Sequence, residues 1–286
     1  MNLIKNIQFQ QLINLLLLLL IASLNNSLQA SWGYIFILAA YSAFLEAIIS
    51  YKFENKIYFP YSAIITSFGI ILMVGFLKWY IPFVVVTLAI LQKKFIKIDG
   101  KHIFNPSNFA LILAIALFYP KASPIIGQLG VKGWYIIYFV IFIATLILIR
   151  VNRVAISVSF IAFYILLEYL IIKPTNPLWS LDEFLNSFFS TSFIVYIFFM
   201  LTDPITTPNS LAKQIFFGFF VALITVALDY FVGEHLRNLF LSLYLTSVIF
   251  IPIYRNKIDK KYIIILMFSF AISLYILTLK PLFFSM

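Results

Sequence analysis

The chain has 286 residues, of which 63% are hydrophobic and only 10% are charged, and its mean hydropathy is +1.05. Soluble domains carry about 25% charged residues, so this composition excludes a water-soluble protein and predicts an integral membrane protein. The net charge of +10 lies in short basic clusters between apolar runs, which indicates membrane topology and not nucleic acid as a partner. Cysteine is absent, which excludes disulfides and an iron–sulfur cluster bound by thiolates of this chain.

The apolar runs predict an all-α, polytopic transmembrane bundle of about 10–11 spans, because a membrane-spanning segment must satisfy its own backbone hydrogen bonds. In chain order the predicted spans are 11–25, 32–50, 59–77, 79–92, 105–120, 133–149, 154–172, 186–202, 214–231, 236–253 and 261–279. The break at Lys78-Trp79-Tyr80 is the least defined. The stretch 59–92 is compatible with two short helices or with one long helix kinked near Pro82.

The distribution of lysine and arginine predicts a cytoplasmic N-terminus and, for eleven spans, a C-terminus outside. With this orientation the cytoplasmic loops hold Lys5, Lys52, Lys56, Lys93, Lys94, Lys97, Lys101, Arg150, Arg153, Lys213, Arg255, Lys257, Lys260 and Lys261. The outer loops hold Lys78, Lys121, Lys132, Lys173, Arg237 and Lys280. The first span has an alternative interpretation as a signal sequence, but Leu28 is a poor residue before a cleavage site at Ala30.

Two polar clusters interrupt the apolar runs, each beside a span and both on the predicted cytoplasmic side. They are His102-Ile103-Phe104-Asn105-Pro106-Ser107-Asn108-Phe109 and Met200-Leu201-Thr202-Asp203-Pro204-Ile205-Thr206-Thr207-Pro208-Asn209. One interpretation is helix caps, since asparagine, aspartate and threonine cap helix ends and proline stops a helix. The other is a ligand or ion path lined by Asn105, Pro106, Asn108, Thr202, Asp203, Pro204, Thr206 and Thr207.

Three carboxylates, those of Glu46, Glu168 and Asp229, lie near the ends of spans, where caps or solvation explain them without a functional role. The chain shows no carboxylate pair with a spacing that suggests acid–base catalysis, no metal-ligand spacing and no glycine-rich nucleotide loop, so the sequence predicts no metal site and leaves open whether the protein is an enzyme. His102 and His235 fall on opposite predicted sides, so bis-histidine haem is not expected.

The two clusters together resemble the RnfD/NqrB family of membrane subunits. In that family a stretch like "IFNP" opens one helix and one like "FFxLTDPxT" closes another about a hundred residues later. Here they stand as Ile103 to Pro106 and Phe198 to Thr206, and Ile251 to Arg255 is similar to the end of the family domain. The resemblance covers about residues 30 to 258. It places an RnfD/NqrB-like domain at 1–258 and an additional C-terminal helix and tail at 259–286.

The resemblance implies two five-helix repeats, a flavin such as FMN or riboflavin, and electron transfer coupled to Na⁺ or H⁺ movement in a bacterial inner membrane. It also implies partner subunits that carry the iron–sulfur and nucleotide sites. In the family, covalent FMN is esterified to the threonine of a Ser-Gly-Ala-Thr-like stretch. Here the corresponding residues are Ser190, Thr191, Ser192 and Phe193, so the acceptor is a phenylalanine without a hydroxyl.

Flavin is therefore expected to be non-covalent if it is bound, with Thr191 and Ser192 as the candidate contacts. A flavin-free transporter or channel, and a membrane scaffold, are the alternative functions. The helix beyond the family domain favours a divergent relative of the UnbU-like kind.

Overall fold

A computed structural model describes residues 6–26, 28–55, 58–125, 134–177, 179–188, 190–255, 258 and 260–279. Lys5, Lys56, Lys132, Lys257, Lys280 and the tail 280–286 lie outside these residues. The helices are α1 (Ile7–Leu24), α2 (Trp32–Glu54), α3 (Tyr61–Met73), α4 (Ile81–Phe95), α5 (Pro106–Phe118), α6 (Trp134–Val151), α7 (Val154–Leu167), α8 (Lys173–Thr175), α9 (Leu181–Ser187), α10 (Thr191–Val195), α11 (Leu211–Val232), α12 (His235–Ile249), α13 (Ile251–Tyr254) and α14 (Lys261–Thr278).

Every predicted span contains a helix, which confirms the all-α polytopic fold class. In the described part of the chain, five helical segments are long and apolar enough to cross a membrane by themselves. These are Ile7–Leu24, Trp32–Glu54, Val154–Thr175, Leu211–Val232 and Lys261–Thr278. The helix of α7 continues to Thr175 through a π-helical turn at Glu168–Ile172. The arrangement in two repeats stays a prediction.

The stretch 59–92 forms two short helices and not one kinked helix. Helix α3 ends at Met73, strand β1 (Val74–Phe76) follows, and α4 begins at Ile81 with Pro82 in its first turn. Strand β1 pairs antiparallel with β4 (Ala122–Pro124), and the Leu77 N–H donates to the Lys121 carbonyl at 2.9 Å. The strand pair satisfies backbone groups that the short helices leave open, which a membrane environment requires.

A second small strand pair connects α4 to α5. Strand β2 (Lys97–Ile98) pairs with β3 (Lys101–His102), and Asp99 and Gly100 form the turn with positive φ values of 53° and 72°. The hairpin brings His102 directly in front of the Asn105-Pro106 start of α5.

The predicted eighth span, 186–202, is not one continuous helix. Helix α9 ends at Ser187, and α10 begins at Thr191 and continues as a π-helical turn over Tyr196–Met200. The break arises because the Ser190 hydroxyl caps the new helix by accepting a hydrogen bond from the Phe193 N–H at 3.2 Å.

Several helices pack closely against one another in the apolar core. Helix α11 packs closely on α7 at Gly218, where a Cβ atom would lie 2.7 Å from the Ile156 carbonyl oxygen. Helix α1 packs on α3 and α6. The C-terminal helix α14 packs on α12 and α5, and much of its remaining surface is exposed.

Candidate functional site

The two polar clusters meet at one end of the bundle, although Asn105 and Asp203 are 98 positions apart. The side-chain amide of Asn105 donates to Asp203 Oδ2 at 3.3 Å and to the Phe199 carbonyl at 3.4 Å. His102 Nε2 lies 3.9 Å from the same carboxylate oxygen. We call this end of the bundle the motif end.

Both clusters form helix caps and tight turns, as the first interpretation expects. Asn105 Oδ1 accepts from the N–H groups of Ser107 and Asn108, both at 3.1 Å, and Pro106 occupies the first helical position of α5. Asp203 Oδ1 accepts from the Ile205 N–H at 3.0 Å. Proline is favourable in the first turn because it has no backbone N–H that would be left unpaired. Asparagine is favourable before it because its side-chain oxygen accepts hydrogen bonds from the next N–H groups.

The remaining residues of the predicted path are distributed around this contact. Thr207 Oγ1 donates to the Asp203 carbonyl at 2.6 Å, and Thr202 Oγ1 donates to the Phe198 carbonyl at 2.8 Å. Asn108 points away from Asp203 and donates to the Phe240 carbonyl of α12 at 3.2 Å. Pro204 and Thr206 supply carbonyl oxygens to neighbouring side chains. Six of these residues therefore contribute to one junction, Thr202 bonds back to the helical turn that precedes it, and Asn108 connects the junction to α12.

Arginine side chains brace the motif end, a role that the sequence analysis missed. Arg153 donates to Thr207 Oγ1 at 2.9 Å, to the Pro204 carbonyl at 3.2 Å and to Asn209 Oδ1 at 2.5 Å. Burial lowers the pKa of the Arg153 guanidinium, and the negative charge of Asp203 acts in the opposite direction. Arginine stays charged at neutral pH, so Arg153 compensates the partly buried carboxylate.

A second arginine, Arg255, contacts both polar clusters. Arg255 donates to the His102 carbonyl at 3.3 Å and to the Ile205 carbonyl at 2.8 Å, and the adjacent Tyr254 hydroxyl donates to the Thr206 carbonyl at 2.7 Å. In the sequence both arginines count only as charges that set topology. The one feature of the sequence that could have indicated a structural role is that each arginine lies next to a predicted span end.

Two cavities open beside the junction, and each is lined by both polar and apolar residues. One of about 250 Å³ is lined by Gln11, Thr66, Asn105, Ser107 and Asp203, and extends along α3 to Gly69. The other, of about 430 Å³, is lined by Glu46, Glu54, His102 and by Lys93, Lys94, Lys97 and Lys101. His102 lines both, so the two cavities adjoin each other at this residue.

The three carboxylates near span ends have different environments. Glu46 caps α3 by accepting from the Ala63 N–H at 2.8 Å, and it pairs with Lys93. Asp229 accepts from Asn238 at 2.9 Å and lies 2.7 Å from His235 Nδ1. Glu168 is buried in the π-helical turn, and its Oε2 has no hydrogen-bond partner among the described residues. The first two therefore act as caps or links.

The segment that corresponds to the covalent FMN position of the family is closed. Thr191, Ser192 and Phe193 are each at most 1% exposed. Ser192 Oγ donates to the Ile125 carbonyl, whereas Thr191 Oγ1 has no partner in the described part of the chain. The centroids of the Phe193 and Phe188 rings lie 4.7 Å apart.

These residues do not fit an esterified flavin. The phenyl ring of Phe193 offers no oxygen for a phosphoester, and the two neighbouring hydroxyls are buried and not directed to an accessible surface. Aromatic packing fills the space next to Phe193, with Phe160 at 6.3 Å and Tyr164 at 6.1 Å between ring centroids.

The fold and the motif junction define a multi-pass helical membrane protein with two interrupted, polar helix ends in contact. Residues 121–261 match the sequence profile of the NQR2, RnfD, RnfE family, and this match supports membership of the chain in the RnfD/NqrB-type family. It is thus a membrane subunit of the kind found in Nqr/Rnf-type electron-transport complexes, which also contain other subunits. The matched region includes Asp203 and Arg255, but not Asn105. No curated protein matches the chain.

Proposed function

We propose that the chain is the membrane subunit that moves Na⁺ or H⁺ in an Nqr/Rnf-type electron-transport system of the bacterial inner membrane. The cavity of about 250 Å³ beside Asp203 is the cytoplasmic mouth of the ion path in this proposal. The supporting observation is that two interrupted helix ends meet there and line the cavity with side-chain oxygen atoms. Such discontinuous helices often line ion sites, because irregular backbone inside a membrane is tolerated where it borders a cavity.

Asp203 is the residue that carries this proposal. It is the only carboxylate among the described residues that line the cavity, and its side chain is 13% exposed. Asn105 and Ile205 each donate one hydrogen bond to it. A carboxylate offers about four lone-pair sites, so acceptor capacity remains for a hard cation or a proton.

Substitution of Asp203 by asparagine tests the proposal, because it removes the charge and keeps the shape. The complex, with its native partner subunits, is reconstituted in proteoliposomes, and electron transfer and ²²Na⁺ or proton movement are measured together. We expect ion movement per electron to fall by tenfold or more while electron transfer continues. Asp99→Asn is the matched control, since Asp99 is an exposed carboxylate in the hairpin at the same end.

The outcomes separate ion conduction from a structural role. Loss of both electron transfer and assembly in Asp203→Asn would identify Asp203 as a structural turn residue only. Unchanged ion movement per electron would overturn the proposal. Ion movement that falls equally in Asp99→Asn would point to a general effect of surface charge.

We also propose that a flavin bound by this chain is held without a covalent bond. The buried Phe193 and the closed hydroxyls of Thr191 and Ser192 support this. Flavin fluorescence is measured in the denatured band of the chain after electrophoresis. We expect no fluorescence in that band, and flavin in the released fraction. Fluorescence that stays with the band would overturn the proposal.

A flavin-free transporter, channel or scaffold of the same fold is the second candidate function. The observation that favours it is the aromatic packing around Phe193, the residue that stands where the resemblance to the family would place the threonine that carries FMN. A well-folded preparation without flavin, and with cation flux that depends on Asp203 but not on electron transfer, would establish a transporter or channel. A preparation with neither activity would favour a scaffold.

A further inference from the structure

A small cationic cavity lies on the other side of the Pro204-Ile205 turn from the proposed ion path. Its volume is about 220 Å³, and three basic side chains line it, those of Lys101, Lys213 and Arg255. Polar side chains of Thr207, Asn209 and Ser210 complete much of the lining. No acidic residue is among the described residues that line it, in contrast to the larger cavity with Glu46 and Glu54.

Arg255 has unused hydrogen-bonding capacity at this cavity. The residue is 8% exposed, and its Nε is buried without a hydrogen-bond partner among the described residues. One terminal nitrogen, Nη2, is engaged by the His102 and Ile205 carbonyls, so the guanidinium is held in place. An unpaired N–H of a buried charged group is unfavourable, and the positive charge of a guanidinium that lines the cavity favours a bound anion.

The N-terminus of α11 borders the same cavity, because Ser210 and Lys213 are among the residues that line it. Helix α11 has 22 residues and begins after Ser210, whose side chain makes no capping hydrogen bond. The first N–H groups of a helix have no partner within the helix and carry a partial positive charge, which favours an anion. Lys213 lies in this first turn and is fixed by a 2.7 Å hydrogen bond to the Ile253 carbonyl.

The position of the cavity relative to the membrane indicates the source of the anion. The segment Leu211–Val232 is long and apolar enough to cross a bilayer. A cavity at the end of a spanning segment is expected at the level of the lipid phosphates. Clusters of basic residues next to a membrane helix typically recognise anionic lipid headgroups.

We propose that this cavity binds a phosphate group, supplied by the headgroup of an anionic phospholipid. Arg255 and the first turn of α11 hold the phosphate oxygens, and Lys101 and Lys213 neutralise its charge. The size agrees with this ligand, because a water molecule occupies about 30 Å³ of liquid and the cavity has room for a group several times larger.

Lipid binding to the purified full-length chain tests the proposal. Delipidated protein in detergent is titrated with phosphatidylglycerol, with phosphatidylcholine and with inorganic phosphate, and the melting temperature and the bound mass are recorded. We expect phosphatidylglycerol to raise the melting temperature more than phosphatidylcholine does, since a ligand of the folded state stabilises it. In Lys101→Gln/Lys213→Gln, we expect phosphatidylglycerol binding to be roughly thirtyfold weaker.

The control variant is Lys78→Gln, an exposed lysine beside strand β1 at the opposite end of the bundle. The double variant keeps Arg255 and its two carbonyl contacts, so it is expected to fold. If inorganic phosphate alone gives the same stabilisation and loses it in the double variant, the phosphate site is supported with free phosphate as its ligand. Binding of phosphatidylglycerol that is equal in the wild type and the double variant would overturn the proposal, and so would the absence of stabilisation by any of the three probes.

Discussion

Asn105 has two roles in one side chain, and they can be separated by substitution. Its oxygen caps α5, and its amide nitrogen donates to Asp203. We expect Asn105→Ala to lower the free energy of unfolding by about 1–2 kcal/mol, because loss of an N-cap typically costs about this amount. Thermal or denaturant unfolding of the detergent-solubilised protein measures the change.

The matched variant is Asn105→Ser, which keeps a capping oxygen and loses the amide contact with Asp203. We expect it to retain most of the stability that Asn105→Ala loses. Equal destabilisation by alanine and serine would show that the cap contributes little, and that the Asn105–Asp203 contact carries the effect.

Close packing of α7 on α11 depends on a single glycine. A Cβ atom at Gly218 would lie 2.7 Å from the Ile156 carbonyl oxygen and 2.9 Å from the Phe160 N, which are backbone atoms that cannot move aside alone. Small residues allow such close helix contacts in membranes. We expect Gly218→Ala to destabilise the protein by about 1–3 kcal/mol, as overpacking of a core does.

The control for this prediction is Gly33→Ala in α2, where a Cβ atom would meet no atom within 4 Å. Alanine is a better helix former than glycine, so this variant should be as stable as the wild type or slightly more stable. Both variants are compared by thermal unfolding in the same detergent. Equal melting temperatures for the two would contradict the tight α7–α11 contact.

Helix α1 is part of the core, which bears on whether it is removed as a signal sequence. Leu15, Leu18 and Leu19 are each at most 1% exposed, and α1 packs on α3 and α6. Its removal would expose the apolar surfaces that these leucines cover. We therefore expect the purified protein to retain α1, and intact-mass measurement decides the matter: a mass that lacks the segment before Ala30 would contradict it.

At the scale of the whole molecule, the sequence predicts the helices well because each is a separate apolar run. It also places both polar clusters on one side, and the contact between Asn105 and Asp203 agrees with this. The strand pair of β1 and β4 could not be predicted, since three-residue strands of apolar residues are indistinguishable from helix ends by periodicity. The break before α10 was missed because the predicted span 186–202 runs through the short polar stretch Ser190-Thr191-Ser192, where the new helix is capped.

The chemistry of the motif end was only partly predictable. Caps such as Asn105 have a local signature, whereas the contacts of Arg153 and Arg255 join positions that are 50 or more residues apart. The distribution of charged residues in the sequence predicts on which side of the membrane a side chain lies, but not which carbonyl group it contacts. The cationic cavity depends on three such long-range placements and has no signature in the sequence.

The orientation of the whole bundle in the membrane is a prediction with a direct test. The basic residues Lys93, Lys97, Lys101, Arg153, Lys213 and Arg255 all surround the Pro204-Ile205 turn, so they lie at the same end. Positively charged loops stay in the cytoplasm, and the motif end should therefore be cytoplasmic. Because the chain has no cysteine, one introduced cysteine is the only thiol that a reagent can label.

We expect Lys52→Cys, at the exposed end of α2, to be labelled by an impermeant maleimide only after the cells are opened. Lys78→Cys, exposed between β1 and α4, should be labelled in intact cells. The reverse pattern would put the motif end outside. In that case the cavity beside Asp203 would be the outer mouth of an ion path, and the phosphate site would face the outer leaflet. Labelling of both cysteines in intact cells would contradict the alternation of spans between the two ends of the bundle.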